Sequence, residues 1–185
     1  MSLKNLSNQI SKTLEEISRL FGEAQKINGL TCPNGCGKCC FKTDIYCAPY
    51  ELLPMALYLT ETNRATSFLE KAELHKNDRC VLFQVDHEEK GLGHCTEYRH
   101  RPFICRVFGV SARKDKYSVY DYSICKMIKE RHGDSVNILQ GVPLMAEWKK
   151  KLEALDPHLL EKEIPINQAL GVILEKILLL EKFSN

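Results

Sequence analysis

The sequence predicts a mainly α-helical fold with a small β-hairpin, in which an irregular cysteine-rich core is flanked by amphipathic helices. Three observations predict it. Apolar residues recur at steps of three and four near both ends of the chain. One short run of branched and aromatic residues, Val81–Val85, is followed by a charged, glycine-bearing turn and a return segment. Between the terminal helices lie nine cysteines, four of them in Cys32-Pro33-Asn34-Gly35-Cys36-Gly37-Lys38-Cys39-Cys40. A chain of 185 residues fits a single domain, 1–185, with a core over 30–128 and helical N- and C-terminal extensions.

The first helix is expected from Leu3 to Lys26. Leu3, Leu6, Ile10, Leu14, Ile17 and Leu20 share one face, and Asn28-Gly29 supplies a stop because both residues tolerate a left-handed backbone. The cysteine loop comes next. Its glycines allow close approach and positive φ, its turns can aim amide N–H groups at sulfur, and Pro33 fixes φ after the first thiol. Phe41–Tyr46 reads as extended. Tyr50–Thr60 reads as a helix, with Pro49 near its first turn and Pro54 implying a late start or a kink. A second short helix is expected over Thr66–His75.

Cys80–Val85 and His94–Tyr98 read as the strands of a hairpin, joined across His87–Gly93, with Cys80 and Cys95 close in space. Pro102 can open a helical turn that carries Cys105 and Arg106. Lys116–Tyr122 reads as extended and Ile124–His132 as a helix with Cys125 in its first turn, ended by Gly133. Pro143–Leu155 is expected to be helical until Asp156-Pro157 breaks it. Ile166–Phe183 is the last amphipathic helix. The terminal helices are candidates to pack on each other or to form a homodimer contact. No internal repeat or low-complexity segment is evident.

A formal net charge of +2 gives no electrostatic case for nucleic acid or for an anionic membrane surface. The longest apolar run near the end, Ile177–Leu180, is four residues between Lys176 and Glu181, so no membrane span is expected. Met1–Leu6 is polar and lacks a continuous apolar core, and a cytoplasmic location is expected.

In a reducing compartment, clustered cysteines point to metal or redox chemistry rather than to disulfides. With Cys47 set aside, eight remain: Cys32, Cys36, Cys39 and Cys40 in the loop, and Cys80, Cys95, Cys105 and Cys125 downstream. These eight are the expected metal ligands, around one centre or two. Adjacent Cys39 and Cys40 fit one ion poorly in ordinary backbone, which favours different ions for them or a packing role for one. Thiolates select zinc or iron–sulfur clusters over magnesium or calcium. Four thiolates close a zinc tetrahedron or hold a [4Fe–4S] cubane, and either leaves excess negative charge. Arg99, Arg101 and Arg106 bracket Cys105 and can offset that charge, with Arg101 and Arg106 expected beside the cofactor and Lys38, Lys42 and Arg79 as further cations. The loop matches neither paired C-x2-C zinc spacing nor the ferredoxin run ending in Cys-Pro, so spacing leaves both metals open. Of six scattered histidines, His94 beside Cys95 is the best candidate to replace a thiol.

The chain resembles the YkgJ-type cysteine-cluster family, a zinc- or iron-chelating domain named for its CxxCxxCC pattern. The matching residues are Cys32, Cys36, Cys39 and Cys40, then Cys80 and Cys95. They continue with Tyr98, Arg101, Pro102, Cys105, Arg106 and Phe108 in the pattern Y-x2-R-P-x2-C-R-x-F, and end at Cys125. The first gap departs from the pattern, holding three residues where the family name has two. A related cluster occurs in flagellin lysine-N-methylase, a much longer protein. The resemblance implies metal chelation and specifies no reaction.

The leading expectation is a protein that holds an iron–sulfur cluster, [4Fe–4S] first, or zinc, in an electron-transfer or accessory role. An enzyme is the alternative: a thiol-redox couple at Cys39-Cys40, or a relative of the protein methylase. Against it, the sequence has no glycine-rich cofactor fingerprint and no nucleophile–His–acid set. A third expectation is a partner-binding module with structural zinc.

Overall fold

A computed structural model of the chain describes residues 2–133 and 139–184. Helix α1 runs over Leu3–Ile27. The Ser2 hydroxyl accepts the Asn5 N–H at its start, and Asn28 with left-handed Gly29 (φ +67°) ends it. The predicted stripe is buried through Leu6, Ile10, Leu14 and Ile17, then continues through Phe21 and Ala24 with Leu20 at its margin. Each fully buried leucine or isoleucine of this kind contributes roughly 1.5–3 kcal/mol.

After the cysteine loop the chain reaches β1, Tyr46–Cys47, the paired end of the segment expected to be extended. A 3-10 turn over Pro49–Leu52 leads into α2, Leu53–Glu61. Pro54 therefore sits in the first turn of α2, where its missing N–H costs nothing, which accounts for the late start. Helix α3 spans Ala65–Leu74.

The expected hairpin is present but displaced. Strands β2, Phe83–His87, and β3, Leu92–Cys95, pair antiparallel, with Phe83 opposite Cys95. Cys80–Leu82 form a turn instead of a strand, closed by Phe83 N–H on Cys80 O, and Leu82 is buried in the main core. Helix α4, Phe103–Val107, follows Pro102 and carries Cys105 and Arg106 as expected.

A second hairpin is present that the sequence pattern did not resolve: Lys116–Tyr122, expected to be extended, holds its turn and the start of its second strand. Strand β4, Val110–Lys114, pairs with β5, Tyr120–Ile124. Lys116–Ser118 make its turn, because the Asp115 carboxylate accepts the N–H groups of Tyr117 and Val119. Helix α5 covers Lys126–His132, with Cys125 at its N-cap and Gly133 at its end. Helix α6 covers Met145–Glu153, β6 is Ile164–Pro165, and α7 runs over Ile166–Ser184. Strand β6 pairs with β1. The protein is thus mainly helical, and three two-stranded antiparallel sheets are present among the described residues, where the sequence had predicted one hairpin.

The terminal helices do not principally pack on each other. Helix α1 lies against α4, α2 and α6, while α7 lies against α3 and α2. Together they enclose the main core, from Leu6 to Ile177. A second, smaller core gathers Ala24, Leu30, Val110, Ala112, Ile128 and Leu144 under the β4–β5 hairpin. Among the described residues, no helix is long and apolar enough to cross a membrane.

Candidate metal centre

The cysteine loop is laid along the inner hairpin by backbone contacts. Gly37 N–H donates to Gly91 O at 3.1 Å and Gly93 N–H to Gly35 O at 3.2 Å. Gly37 and Gly93 both face the Phe83 ring: a Cβ on Gly37 would stand 2.7 Å from it, and one on Gly93 2.5 Å. These two glycines are therefore required by the ring that supports the loop. Phe41 closes the loop edge-on against the same ring, with centroids 4.9 Å apart.

Between this loop, α1, α4 and the start of β4 lies a cavity of about 850 Å³. Cys32, Cys36, Cys39, Cys40, Cys95, Cys105 and Cys125 line it. Cys80 lies outside the lining but within interaction distance of Cys105. Cys47 is apart from the lining, 1 % exposed in the main core. All nine thiols are free.

The thiols fall into different electrostatic states. Cys39 is drawn down to about 6, chiefly because the Cys40 thiol, 3.9 Å away, donates to it; Arg101 and the Cys40 N–H assist against burial. Cys40 is pushed far up by that same donation and by burial. Burial raises Cys32 to about 12, with Cys36, Cys125 and Cys39 adding repulsion. Burial likewise raises Cys80 to about 12 and lifts Cys95 and Cys105. Two of these sulfurs are met by amides two residues on: Leu82 N–H faces Cys80 and Glu97 N–H faces Cys95, each favouring the thiolate. Soft donors, inward amides and a neighbouring guanidinium fit a thiolate-bound metal. Among the described residues, no group of three or more His, Cys, Asp or Glu side chains stands close enough together to hold a metal ion.

The arginines divide in role. Arg101 lies over the Tyr98 ring at 3.5 Å and donates through Nε to Tyr98 O; its charge acts on Cys39, Cys95 and Cys105. Arg106 is a clamp. Its Nε donates to Arg101 O at 2.6 Å, Nη1 to Ser18 Oγ at 2.8 Å, and Nη2 to Arg99 O. Burial, reinforced by the Arg101 charge, lowers it to about 10. Arg99 and Arg101 line the cavity, whereas Arg79 is turned to Glu88 and to the Phe41 face. Lys38 and Lys42 are exposed and lie outside the lining. His94 lines the cavity, with Nδ1 2.9 Å from Asp86.

Three supporting residues were not identified from sequence. Glu51 is 1 % exposed; one oxygen accepts Phe103 N–H at 2.9 Å at the start of α4, the other Lys149 Nζ. Asn167, also 1 % exposed, accepts Val81 N–H and donates to His75 O and Arg79 O, fixing the turn that carries Cys80. Glu97, just past Cys95, pairs with Arg64 at 2.6 Å. A carboxylate within the apolar run Pro49–Met55 was the available signal for Glu51. Asn167 had only its place at the head of an apolar helix.

A helical scaffold that turns clustered thiols toward one cavity, with amides and a cation aimed at sulfur, defines a cysteine-rich chelating domain. The chain belongs to the CxxCxxCC family, described as "Putative zinc- or iron-chelating domain", whose model matches residues 31–126, just over half of the sequence. No curated protein and no solved structure matches the chain.

Proposed function

We propose that the chain is one domain, 1–185, whose 30–128 core binds a thiolate-coordinated metal through Cys32, Cys36, Cys39, Cys40, Cys80, Cys95, Cys105 and Cys125. The observation that carries this reading is the convergence of seven of these thiols on one cavity, with the eighth beside them. Arg101 supplies positive charge next to three of the sulfurs and would offset part of the excess negative charge of a thiolate centre. An iron–sulfur cluster, [4Fe–4S] first, or zinc would be held there. The cluster would suit electron transfer or an accessory role in a reducing cytoplasm. Binding would draw the loop sulfurs inward and add folding free energy to the middle of the chain.

Anaerobic purification followed by elemental analysis, sulfide determination and visible absorption tests the proposal. Iron with sulfide and a brown chromophore is the expected result; colourless protein with zinc alone would move the reading to a structural-zinc module. Protein that neither retains nor takes up iron or zinc would overturn it.

A second reading is favoured by one observation, the 3.9 Å contact between the Cys39 and Cys40 thiols, which favours the Cys39 thiolate. As a redox couple, Cys39 thiolate would attack a partner disulfide and release one partner thiolate. Cys40 would then displace the second, leaving two electrons on the partner and a Cys39–Cys40 disulfide. Serine at Cys39 separates the readings: a redox enzyme loses turnover and keeps its metal, whereas a metal ligand loses metal.

A further inference from the structure

We propose that the eight cysteines form two separate four-thiol centres rather than one: Cys32, Cys36, Cys39 and Cys125 at the α1 end of the cavity, and Cys40, Cys80, Cys95 and Cys105 at the hairpin end. This inference rests on the metal-binding reading above and adds the partition of its ligands.

The α1 end is built around Phe108 and Gly109. Gln25 Nε2 donates to Phe108 O at 3.4 Å, and Cys125 N–H donates to Gly109 O at 2.7 Å. The two contacts bring Cys125 to the last turns of α1. Leu30 N–H folds back onto Gln25 O at 2.8 Å, so the chain leaves α1 toward Cys32 from the same place. Cys36 N–H donates to Pro33 O, closing the turn that keeps Cys36 beside Cys32.

The hairpin end is built around Phe83. That residue pairs with Cys95 across the ladder, and its N–H donates to Cys80 O. Phe41, the residue after Cys40, packs on the Phe83 ring. Cys105 comes to this end on α4, whose first N–H is held by Glu51.

The apolar packing divides in the same way. Cys80, Cys95 and Cys105 pack on the main core, whereas Cys125 packs on the smaller one, together with Leu30. Cys39 is the thiol that reaches both sets, since it lies within interaction distance of Cys32 and of Cys40 and Cys105. Cys39 and Cys40, consecutive and 3.9 Å apart, are the boundary at which the chain passes from one set to the other. Four donors on each side complete a tetrahedral thiolate shell.

The test is an anaerobic titration of the metal-free full chain with cobalt(II), a spectroscopic stand-in for zinc or ferrous iron at tetrahedral thiolate sites. Two equivalents per chain, each with sulfur-to-metal charge transfer and tetrahedral ligand-field bands, are expected. Cys125→Ser and Cys80→Ser should each lose one equivalent and keep the other. Saturation of the wild type at one equivalent overturns the partition while leaving metal binding intact, and needs no variant to fold. Loss of all cobalt in either variant, with helical circular dichroism retained, overturns it as well. No cobalt binding at all overturns both this inference and the metal-binding reading.

Discussion

Glu51 accepts the backbone N–H of Phe103 at 2.9 Å, so a carboxylate on one 3-10 turn holds the first turn of the helix that carries Cys105. Its other oxygen meets Lys149, which also reaches Glu163 at 2.8 Å. Burial works against the lysine's charge, but Glu51 and Glu163 outweigh it and raise the Lys149 pKa. Replacing Glu51 with alanine leaves the Phe103 N–H without its partner and removes the more buried of the lysine's two carboxylates. A loss of about 3 kcal/mol is expected, by the cost of breaking a buried ion pair. Chemical denaturation of the wild type and of Glu51→Ala measures it.

Asn167 acts at the other side of the site. Its amide bridges α7 to the 75–81 turn through Val81 N–H and the carbonyls of His75 and Arg79. Asn167→Ala should cost about 2 kcal/mol, since it strands one part-buried N–H and at least two carbonyls. Hydrogen exchange at Val81 and Leu82 should accelerate ahead of global unfolding, while exchange in α1 stays unchanged.

Cys39 should be the most reactive thiol of the metal-free protein. Its pKa of about 6 leaves it a thiolate at neutral pH, whereas Cys32 and Cys80 are raised to about 12 and Cys40 and Cys105 are raised as well. Iodoacetamide followed by peptide mapping should find Cys39 modified first, at a rate that falls as pH drops through 6. Cys40→Ala removes the donor and should slow the reaction at pH 7. Arg101→Gln should slow it to a smaller degree.

Cys47 should behave in the opposite way. Its thiol is buried in the main core, and burial, with the Glu51 charge next, pushes its pKa well above 9.0. Folding therefore favours the protonated thiol. The corresponding stability is full below pH 9 and is lost as pH rises above it, because the unfolded chain releases this proton and the native one does not. Metal-free Cys47→Ala should lose less stability between pH 8 and pH 10 than the metal-free wild type. In the native wild type, Cys47 should resist thiol reagents until denaturant is added.

Much of this organisation could be read directly from the residues. The stripe from Leu6 to Ile17, the Asn28-Gly29 stop, the late start imposed by Pro54 and the Pro102 turn into Cys105 all depend on neighbours within a few positions. The β-segments were harder to place. Cys80–Leu82 looked like a strand because its residues are apolar, but Leu82 points into the core from a turn. The β4–β5 turn depends on Asp115 capping two amides, which its apolar pattern does not register.

The sequence by itself determined the helical character of the chain, the family and the soft-donor chemistry, because periodicity, motif and residue type are properties of short stretches. Only the tertiary structure decided that Arg101 faces three thiols while Arg106 holds backbone carbonyls, and that Glu51 and Asn167 fix the segments carrying Cys105 and Cys80. Those assignments follow from which distant segments the two cores press together. Partners separated by 52 or 86 positions leave no mark in local spacing.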